Sequence, residues 1–134
     1  MAGYSAIDRH SPKMLSVLRI VSGLLFLQHG TAKVLGFPVV EGVPEPGLTI
    51  VGMSGPLELV LGVLLTLGFL TRPTAFLASG FCAVAYWMMH GGQGPYPILN
   101  GGELAALYCF VFLYIFFAGP GPWSVDALRG RRRR

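Results

Sequence analysis

The sequence predicts an all-α membrane protein, a bundle of four transmembrane helices, and three observations support this fold class. The chain of 134 residues is 53% hydrophobic and 12% charged, with a mean hydropathy of +0.62, which is too apolar for an ordinary soluble domain. Its apolar residues form four long segments separated by turns rich in glycine and proline. Its basic residues concentrate near both termini and in one turn, a pattern typical of the cytoplasmic side of a membrane.

The first segment, residues 15–35, has the length of about 20 residues that a helix needs to cross a bilayer. It nevertheless contains Arg19, Gln28, His29 and Lys33. A charged side chain at membrane depth costs about 2.5–3.5 kcal/mol, so it must face protein or water. On a helical wheel one face holds the following charged, small and aromatic residues: Arg19, Ser22, Gly23, Phe26, His29, Gly30 and Lys33. This face is therefore expected to pack against other helices.

The other segments are residues 48–70, 74–90 and 103–118. Ser11-Pro12 predicts the start of the first helix, and Gly36 predicts its end. Gly55-Pro56 predicts a kink or a late start in the second segment. Thr71-Arg72-Pro73 is expected to form a tight turn before the third. Gly52, Gly55 and Gly62 give the second segment a face of small residues, which we expect to dock on the polar face of the first.

Basic residues orient the predicted bundle. By the positive-inside rule both termini are cytoplasmic, and the expected location is the bacterial cytoplasmic (inner) membrane, with several membrane passes. The expected organisation is a lead-in at 1–14, a membrane domain at 15–118 and a basic cytoplasmic tail at 119–134. Four arginines of this tail are expected to attract anionic lipids: Arg131, Arg132, Arg133 and Arg134. A nucleic-acid partner is not expected.

Polar residues from all four segments are predicted to converge near the outer surface. The candidate catalytic residues are His29, His90, Glu58 and Glu103, and the candidate ligand-binding residues are Lys33, Trp87, Tyr96 and Asn100. Histidine exchanges protons near neutral pH, and a buried lysine requires a carboxylate partner. We therefore expect Lys33 to pair with Glu58 or Glu103. No metal-binding motif is present.

Each candidate also has a purely structural interpretation. Glu58 could lie in the first turn of a helix that starts after Pro56, where an acidic residue is favourable. Asn100 and Glu103 have the spacing of a capping box. Lys33 and Arg19 could extend to the membrane surface, and the two histidines could form hydrogen bonds within the bundle. The residues interpreted as structural are Arg19, Gln28, Arg72 and Asp126, and Gln28 could bond another helix or another subunit.

Two cysteines, Cys82 and Cys109, lie in the middle of their segments. Their spacing matches no metal-binding or redox motif. The first interpretation is that both are buried apolar residues, and a redox role is the alternative.

Three stretches resemble the DoxX family of small membrane proteins: LRIVSGLLFLQHGTAKVLGFP, GPLELVLGVLLTLGFLTRP and NGGELAALYCFVFLYIFFAGPGPWSVDAL. The resemblance spans about residues 15–128 and implies a four-helix membrane fold. The positions that match the family pattern are Arg19, His29, Gly30, Lys33, Glu58, Gly62, Arg72, Asn100, Glu103 and Asp126. Some members are linked to thiosulfate:quinone oxidoreductase or to membrane oxidoreductase complexes that handle thiols and oxidative stress.

The resemblance implies a subunit of a membrane oxidoreductase, linked to a quinone or to thiol and sulfur chemistry. No cofactor motif is evident in the chain, and a quinone is the cofactor that this function implies. The alternative is a non-catalytic accessory or assembly subunit, and a small-solute transporter is the third hypothesis. The expected partners are the lipid bilayer and either other membrane subunits or further copies of the chain.

Overall fold

A computed structural model of the protein describes residues 6–43 and 49–132, and in these residues every regular element is a helix. From residue 11 onward the helices are α1 (Ser11–Leu35), α2 (Ile50–Leu67), α3 (Thr71–Met89), α4 (Pro97–Asn100), α5 (Glu103–Ala118) and α6 (Val125–Arg132), with one 3-10 turn at Gly91–Gln93. The all-α prediction is confirmed for the described residues. By length and composition α1 and α2 are suited to cross a membrane, and α5 is a shorter apolar helix.

The first helix begins and ends at the residues that the sequence indicates. Pro12 lies in its first turn, where a missing backbone N–H has no consequence. Gly36 follows its last residue with a φ of 65°, and this left-handed conformation favours glycine.

The second helix is slightly shorter than predicted and runs through its proline. Thr49 caps its start, because the Thr49 hydroxyl accepts a hydrogen bond of 3.0 Å from the Gly52 N–H. Pro56 lies inside the helix, so the predicted late start after Gly55-Pro56 is wrong. Gly68 ends the helix. The predicted span of 48–70 is thus too long, and residue 48 lies outside the described residues.

The predicted turn at Thr71-Arg72-Pro73 is wrong, because these residues form the first turn of α3. Proline is tolerated there since the first N–H groups of a helix have no partner within it. The chain reverses instead at residues 68–70. The Asp126 carboxylate accepts hydrogen bonds from the N–H groups of Leu70, at 3.0 Å, and Thr71, at 2.8 Å. A residue 55 positions away therefore sets the start of α3.

The bundle consists of two helix pairs, α1 with α2 and α3 with α5. Its core contains Phe26, which meets Phe81, Tyr108 and Phe112 edge-on. A Cβ atom on Gly55 would lie 2.8 Å from Lys33 Cβ, on the polar face of α1, and one on Gly62 would lie 2.7 Å from Leu27 Cα. The predicted docking of α1 on the small-residue face of α2 is confirmed, since only glycine permits this approach.

The long helices alternate in direction. One end of the bundle, the terminal end, contains the starts of α1 and α3, the ends of α2 and α5, and residues 119–132. Hydrogen bonds from Arg19 and Arg72 hold these parts together. The other end, the loop end, contains the ends of α1 and α3 and the starts of α2 and α5. The candidate site residues divide between these two ends.

Candidate functional site

An ion pair between a partly buried lysine and a buried glutamate lies at the loop end. Lys33 Nζ is 2.7 Å from Glu58 Oε1 and also donates a hydrogen bond of 3.0 Å to Ser54 Oγ. Glu58 is the ninth residue of α2 and is only 5% exposed. The predicted pairing of Lys33 is confirmed. The first-turn interpretation of Glu58 and the surface interpretation of Lys33 are wrong, because α2 begins well before Pro56 and brings Glu58 to Lys33.

The second oxygen of this carboxylate has a different environment. Glu58 Oε2 is buried and has no hydrogen-bond partner among residues 6–43 and 49–132. A buried polar atom without a partner is costly, and more so when it belongs to an ionised group. Oε2 can therefore hold a proton or accept a hydrogen bond from a ligand.

A second polar cluster joins the end of α3 to the loop before α5. His90 Nδ1 lies 2.9 Å from the backbone oxygen of Asn100. A carbonyl oxygen only accepts, so Nδ1 carries the proton of this hydrogen bond. In the neutral ring Nε2 is then an acceptor. No hydrogen bond to Nε2 is formed within the described part of the chain.

Asn100 holds the loop rather than the helix. Its amide nitrogen donates to Tyr86 Oη at 3.2 Å and to the Gly94 oxygen at 2.9 Å, and its Oδ1 accepts from the Gly102 N–H at 2.8 Å. Because α5 begins at Glu103 after Gly102, Asn100 is not its N-cap. The predicted capping box is wrong.

The remaining candidates do not join either cluster. His29 is exposed, and its ring meets Tyr108 edge-on with centroids 6.2 Å apart. Glu103 and Tyr96 are exposed, and Trp87 is 72% exposed with its ring against Tyr86. The polar residues thus form two clusters, Lys33–Glu58 and His90–Asn100, and the predicted single cluster is wrong. No ion pair or hydrogen bond joins the two clusters within residues 6–43 and 49–132.

Arg19 is a structural residue at the terminal end. The side chain is completely buried, so the interpretation that it extends to the surface is wrong. Its Nε donates to the Pro120 oxygen at 2.8 Å, and Nη1 donates to the oxygens of Leu65 and Thr66, both at 2.7 Å. Nη2 donates to the Trp123 oxygen. One guanidinium thus joins α1, the end of α2 and the segment after α5.

Arg72 and Asp126 are structural as well. Arg72 Nη1 donates to the oxygens of Phe116, at 2.6 Å, and Phe117, at 2.8 Å, and so caps the C-terminal turn of α5. Asp126 caps α3 as described above. Gln28 is exposed, and the described part of the chain gives it no bond to another helix.

The cysteines lie in the core. Cys82 belongs to the buried apolar cluster, and Cys109 packs against it. Both are free thiols, and Ser79 Oγ donates to the Cys109 backbone oxygen at 2.8 Å. Within the described ranges no group of three histidine, cysteine or acidic side chains could hold a metal ion.

Three partners of the candidate residues are not among the residues that the sequence predicts for the site: Ser54, Tyr86 and Tyr108. Ser54 and Tyr86 each lie four residues before a candidate, Glu58 and His90, and such residues share a helix face. Their spacing from Glu58 and His90 therefore predicts both of these residues as neighbours of the candidates. Tyr108 contacts His29 from a different helix, and no local spacing indicates it.

Comparisons with known proteins indicate a membrane protein. The DoxX family model matches residues 14–91. An uncharacterized protein of Haemophilus influenzae is 42% identical over 125 residues, which cover 90% of this chain and 93% of the relative. The inner membrane proteins YqjF and YphA of Escherichia coli are 29% and 30% identical and cover 87% and 86% of this chain and 92% and 89% of their own lengths. No solved structure matches the chain.

These findings define a small helical protein of the bacterial cytoplasmic membrane that crosses the bilayer more than once. The chain belongs to the DoxX family.

Proposed function

We propose that the protein is a membrane subunit of an oxidoreductase and that its Lys33–Glu58 pair exchanges protons with a quinone headgroup or a small sulfur solute. One observation supports this role above the others. Glu58 Oε2 is buried without a hydrogen-bond partner in the described residues, while Oε1 is held by Lys33. Ionisable groups at membrane depth are costly and commonly serve proton or ligand pathways.

The geometry gives each residue of the pair a separate task. Lys33 binds Oε1 and Ser54 Oγ, which fixes the carboxyl group in one orientation. Oε2 is then the atom that accepts or releases a proton. A quinone that accepts two electrons also takes up two protons, and its headgroup oxygens require hydrogen-bond donors. In this proposal the Glu58 carboxylate takes up a proton from water at Oε2 and passes it to the headgroup, the second proton comes from water, and the two electrons come from a partner subunit.

His90 is the second candidate for proton exchange in this proposal. Its Nδ1–H bond to the Asn100 oxygen holds the ring and leaves Nε2 to exchange a proton. Asn100 and Tyr86 are already bonded to each other, so they support the histidine. Trp87 and Tyr96, both exposed, are proposed to lie at the membrane surface beside it.

We propose further that all four long helices cross the membrane and that both termini are cytoplasmic. The helices alternate in direction, and α3 and α5 pack along one another as α1 and α2 do. The terminal end holds Lys13, Arg72, Arg129 and Arg131, whereas the described loop after α1 contains Glu41. This asymmetry supports a cytoplasmic terminal end.

Cysteine labelling tests this topology in cells. In a variant with Cys82 and Cys109 replaced by alanine, Val43→Cys should react with a membrane-impermeant maleimide from outside. Arg131→Cys should react only after the membrane is opened. The opposite pattern, or the same pattern at both positions, would contradict the topology.

A binding experiment tests the function. The protein is purified from bacterial membranes, its bound quinone is extracted and quantified, and a short-chain quinone is titrated while tryptophan fluorescence is followed. Glu58→Gln should lower quinone affinity at least tenfold. Glu103→Gln removes the same charge from an exposed position and should leave the affinity unchanged. Equal affinities for the wild type and Glu58→Gln would contradict the proposal.

An accessory or assembly subunit is the second candidate, and the exposed apolar side chains of α3 and α5 are the surface through which it would bind a partner. Phe110, Phe117 and Tyr114 of α5 and Phe76 and Leu77 of α3 are more than half exposed, so they contact lipid, another subunit or a second copy of the chain. Crosslinking through Phe110→Cys tests this candidate by capturing a partner protein. If the partner keeps its activity when this chain carries Glu58→Gln, the accessory or assembly function is favoured.

A further inference from the structure

A groove at the terminal end combines two cations with an apolar wall. It has a volume of about 560 Å³, its basic residues in the described part of the chain are Lys13 and Arg131, and its wall includes Leu67, Trp123 and Leu128. We propose that this groove binds one anionic phospholipid, with the phosphate at Lys13 and Arg131 and the start of an acyl chain along the wall. This site is separate from the Lys33–Glu58 pair and goes beyond the proposed oxidoreductase function.

The groove is built by the last helix. Val125, Leu128 and Arg131 follow one another at intervals of three residues, so they share one face of α6, and all three line the groove. Lys13 comes from the first turn of α1. The groove therefore forms only where α6 lies beside the start of α1.

Three contacts hold α6 against the bundle, and a fourth caps its start. Asp126 binds the start of α3 through its carboxylate. Its own N–H donates to the Gly68 oxygen at 3.0 Å. The Ser124 hydroxyl accepts from the Ala127 N–H at 3.1 Å and so caps the helix. The Arg129 guanidinium lies 5.2 Å from the centre of the Phe69 ring, a cation–π distance. Arg131 is thus presented by a fixed helix and not by a free chain end.

The chemistry of the walls selects an amphiphile. Among residues 6–43 and 49–132 no acidic side chain lines the groove, so its polar part favours an anion. Leu67, Trp123 and Leu128 are each more than half exposed, and apolar side chains beside a membrane surface favour an acyl chain. Tryptophan is also enriched at the level of lipid headgroups. The volume lies within the usual range of ligand sites, about 300–1,000 Å³.

The occupant must match both halves of the groove. A free phosphate would use Lys13 and Arg131 but would gain nothing from the apolar wall. A zwitterionic phospholipid would fill the wall but bring a positive charge towards the two cations. A phospholipid with net negative charge satisfies both. The expected gain from each cation is about fivefold in affinity, which corresponds to about 1 kcal/mol for a basic residue near the membrane surface.

Native mass spectrometry of the full chain tests the proposal. The detergent-solubilised protein is titrated with phosphatidylglycerol, phosphatidylcholine or glycerol phosphate, and the bound fraction is measured. Phosphatidylglycerol should bind at least tenfold more tightly than the other two. Equal binding of phosphatidylcholine would overturn the proposal, and so would equal binding of glycerol phosphate.

Matched variants locate the site. Arg131→Gln and Lys13→Gln should each weaken phosphatidylglycerol binding about fivefold. Arg132→Gln removes the same charge from the next residue, which does not line the groove, and should change the binding less than twofold. Leu128→Asn should weaken it without altering its salt dependence. Equal losses for Arg131→Gln and Arg132→Gln would indicate diffuse attraction by the basic segment and would overturn the groove.

Discussion

Arg19 and Lys33 lie on the same face of α1, but the two ends of the bundle give them different partners. At the terminal end Arg19 donates to four backbone oxygens. At the loop end Lys33 binds two side chains, Ser54 and Glu58. Backbone oxygens cannot titrate, so the contacts of Arg19 are permanent. A carboxyl group can titrate, so the partner of Lys33 can change its charge.

The same contrast holds for the neighbouring residues. Arg72 and Asp126 at the terminal end bind backbone groups that helix ends leave without partners. At the loop end Glu58 Oε2 and His90 Nε2 form no hydrogen bond within the described residues. The terminal end is therefore structural. The loop end has polar atoms without hydrogen-bond partners in the described residues, and such atoms can bind a ligand.

The largest expected effect is at Arg19. Arg19→Leu should destabilise the protein by more than about 3 kcal/mol, because it leaves several buried carbonyl groups without donors at about 1–3 kcal/mol each. Thermal unfolding in detergent measures the loss. Arg19→Lys should recover only part of it, because an ammonium group cannot reproduce the planar fork of five donors. Full recovery by lysine would contradict the scaffold assignment.

The next effect is at the ion pair. Lys33→Met should cost about 3 kcal/mol, because it leaves the Glu58 carboxylate buried and unpaired. Adding Glu58→Gln should recover part of this loss in a double-mutant cycle. The control is Glu103→Gln in the Lys33→Met background, which should recover nothing because Glu103 is exposed. Strictly additive losses for Lys33 and Glu58 would show that the pair is not coupled.

A smaller effect is expected at the cap of α3. Asp126→Asn keeps one acceptor oxygen and loses the other, so only one of the two N–H groups of Leu70 and Thr71 stays bonded. The expected cost is about 1 kcal/mol, the usual value for a helix cap, and unfolding in detergent measures it. Arg129→Gln is the control on the same helix. A loss for Asp126→Asn no larger than that of Arg129→Gln would indicate that the cap is unimportant.

The smallest effect on stability is expected at the histidines. His29→Ala should change the unfolding free energy by less than about 0.5 kcal/mol, as exposed positions do. His90→Ala should cost about 1 kcal/mol for its one hydrogen bond. If the loop end is the site, His90→Ala should reduce quinone binding more than His29→Ala does, because only His90 is held in a polar cluster. If both variants lose quinone affinity in proportion to their loss of unfolding free energy, the accessory-subunit function is favoured.

Much of this architecture was predictable from local pattern. The apolar segments, Pro12 and Gly36 predict α1, and the run from Glu103 to Ala118 predicts α5 with the bounds that the structure has. The small residues of α2 predict its docking on α1, because a helix has a regular period and its faces can be derived from spacing. The need to neutralise Lys33 predicts its pairing with a carboxylate, since an unpaired buried charge is too costly.

Tertiary structure decided what depends on contacts between distant residues. The start of α3 at Thr71 depends on Asp126, which supplies the acceptors that the N–H groups of Leu70 and Thr71 need. The position of Arg19 depends on oxygens of residues 65, 66, 120 and 123, which local spacing does not bring to α1. Asn100 has the spacing of a cap, but its hydrogen bonds to Tyr86 and Gly94 hold it in a loop. Local pattern thus predicts which faces and charges must be buried, because burial follows from periodicity and desolvation. Only the folded bundle decided which acceptor each buried donor reaches, because hydrogen bonds need partners within about 3 Å.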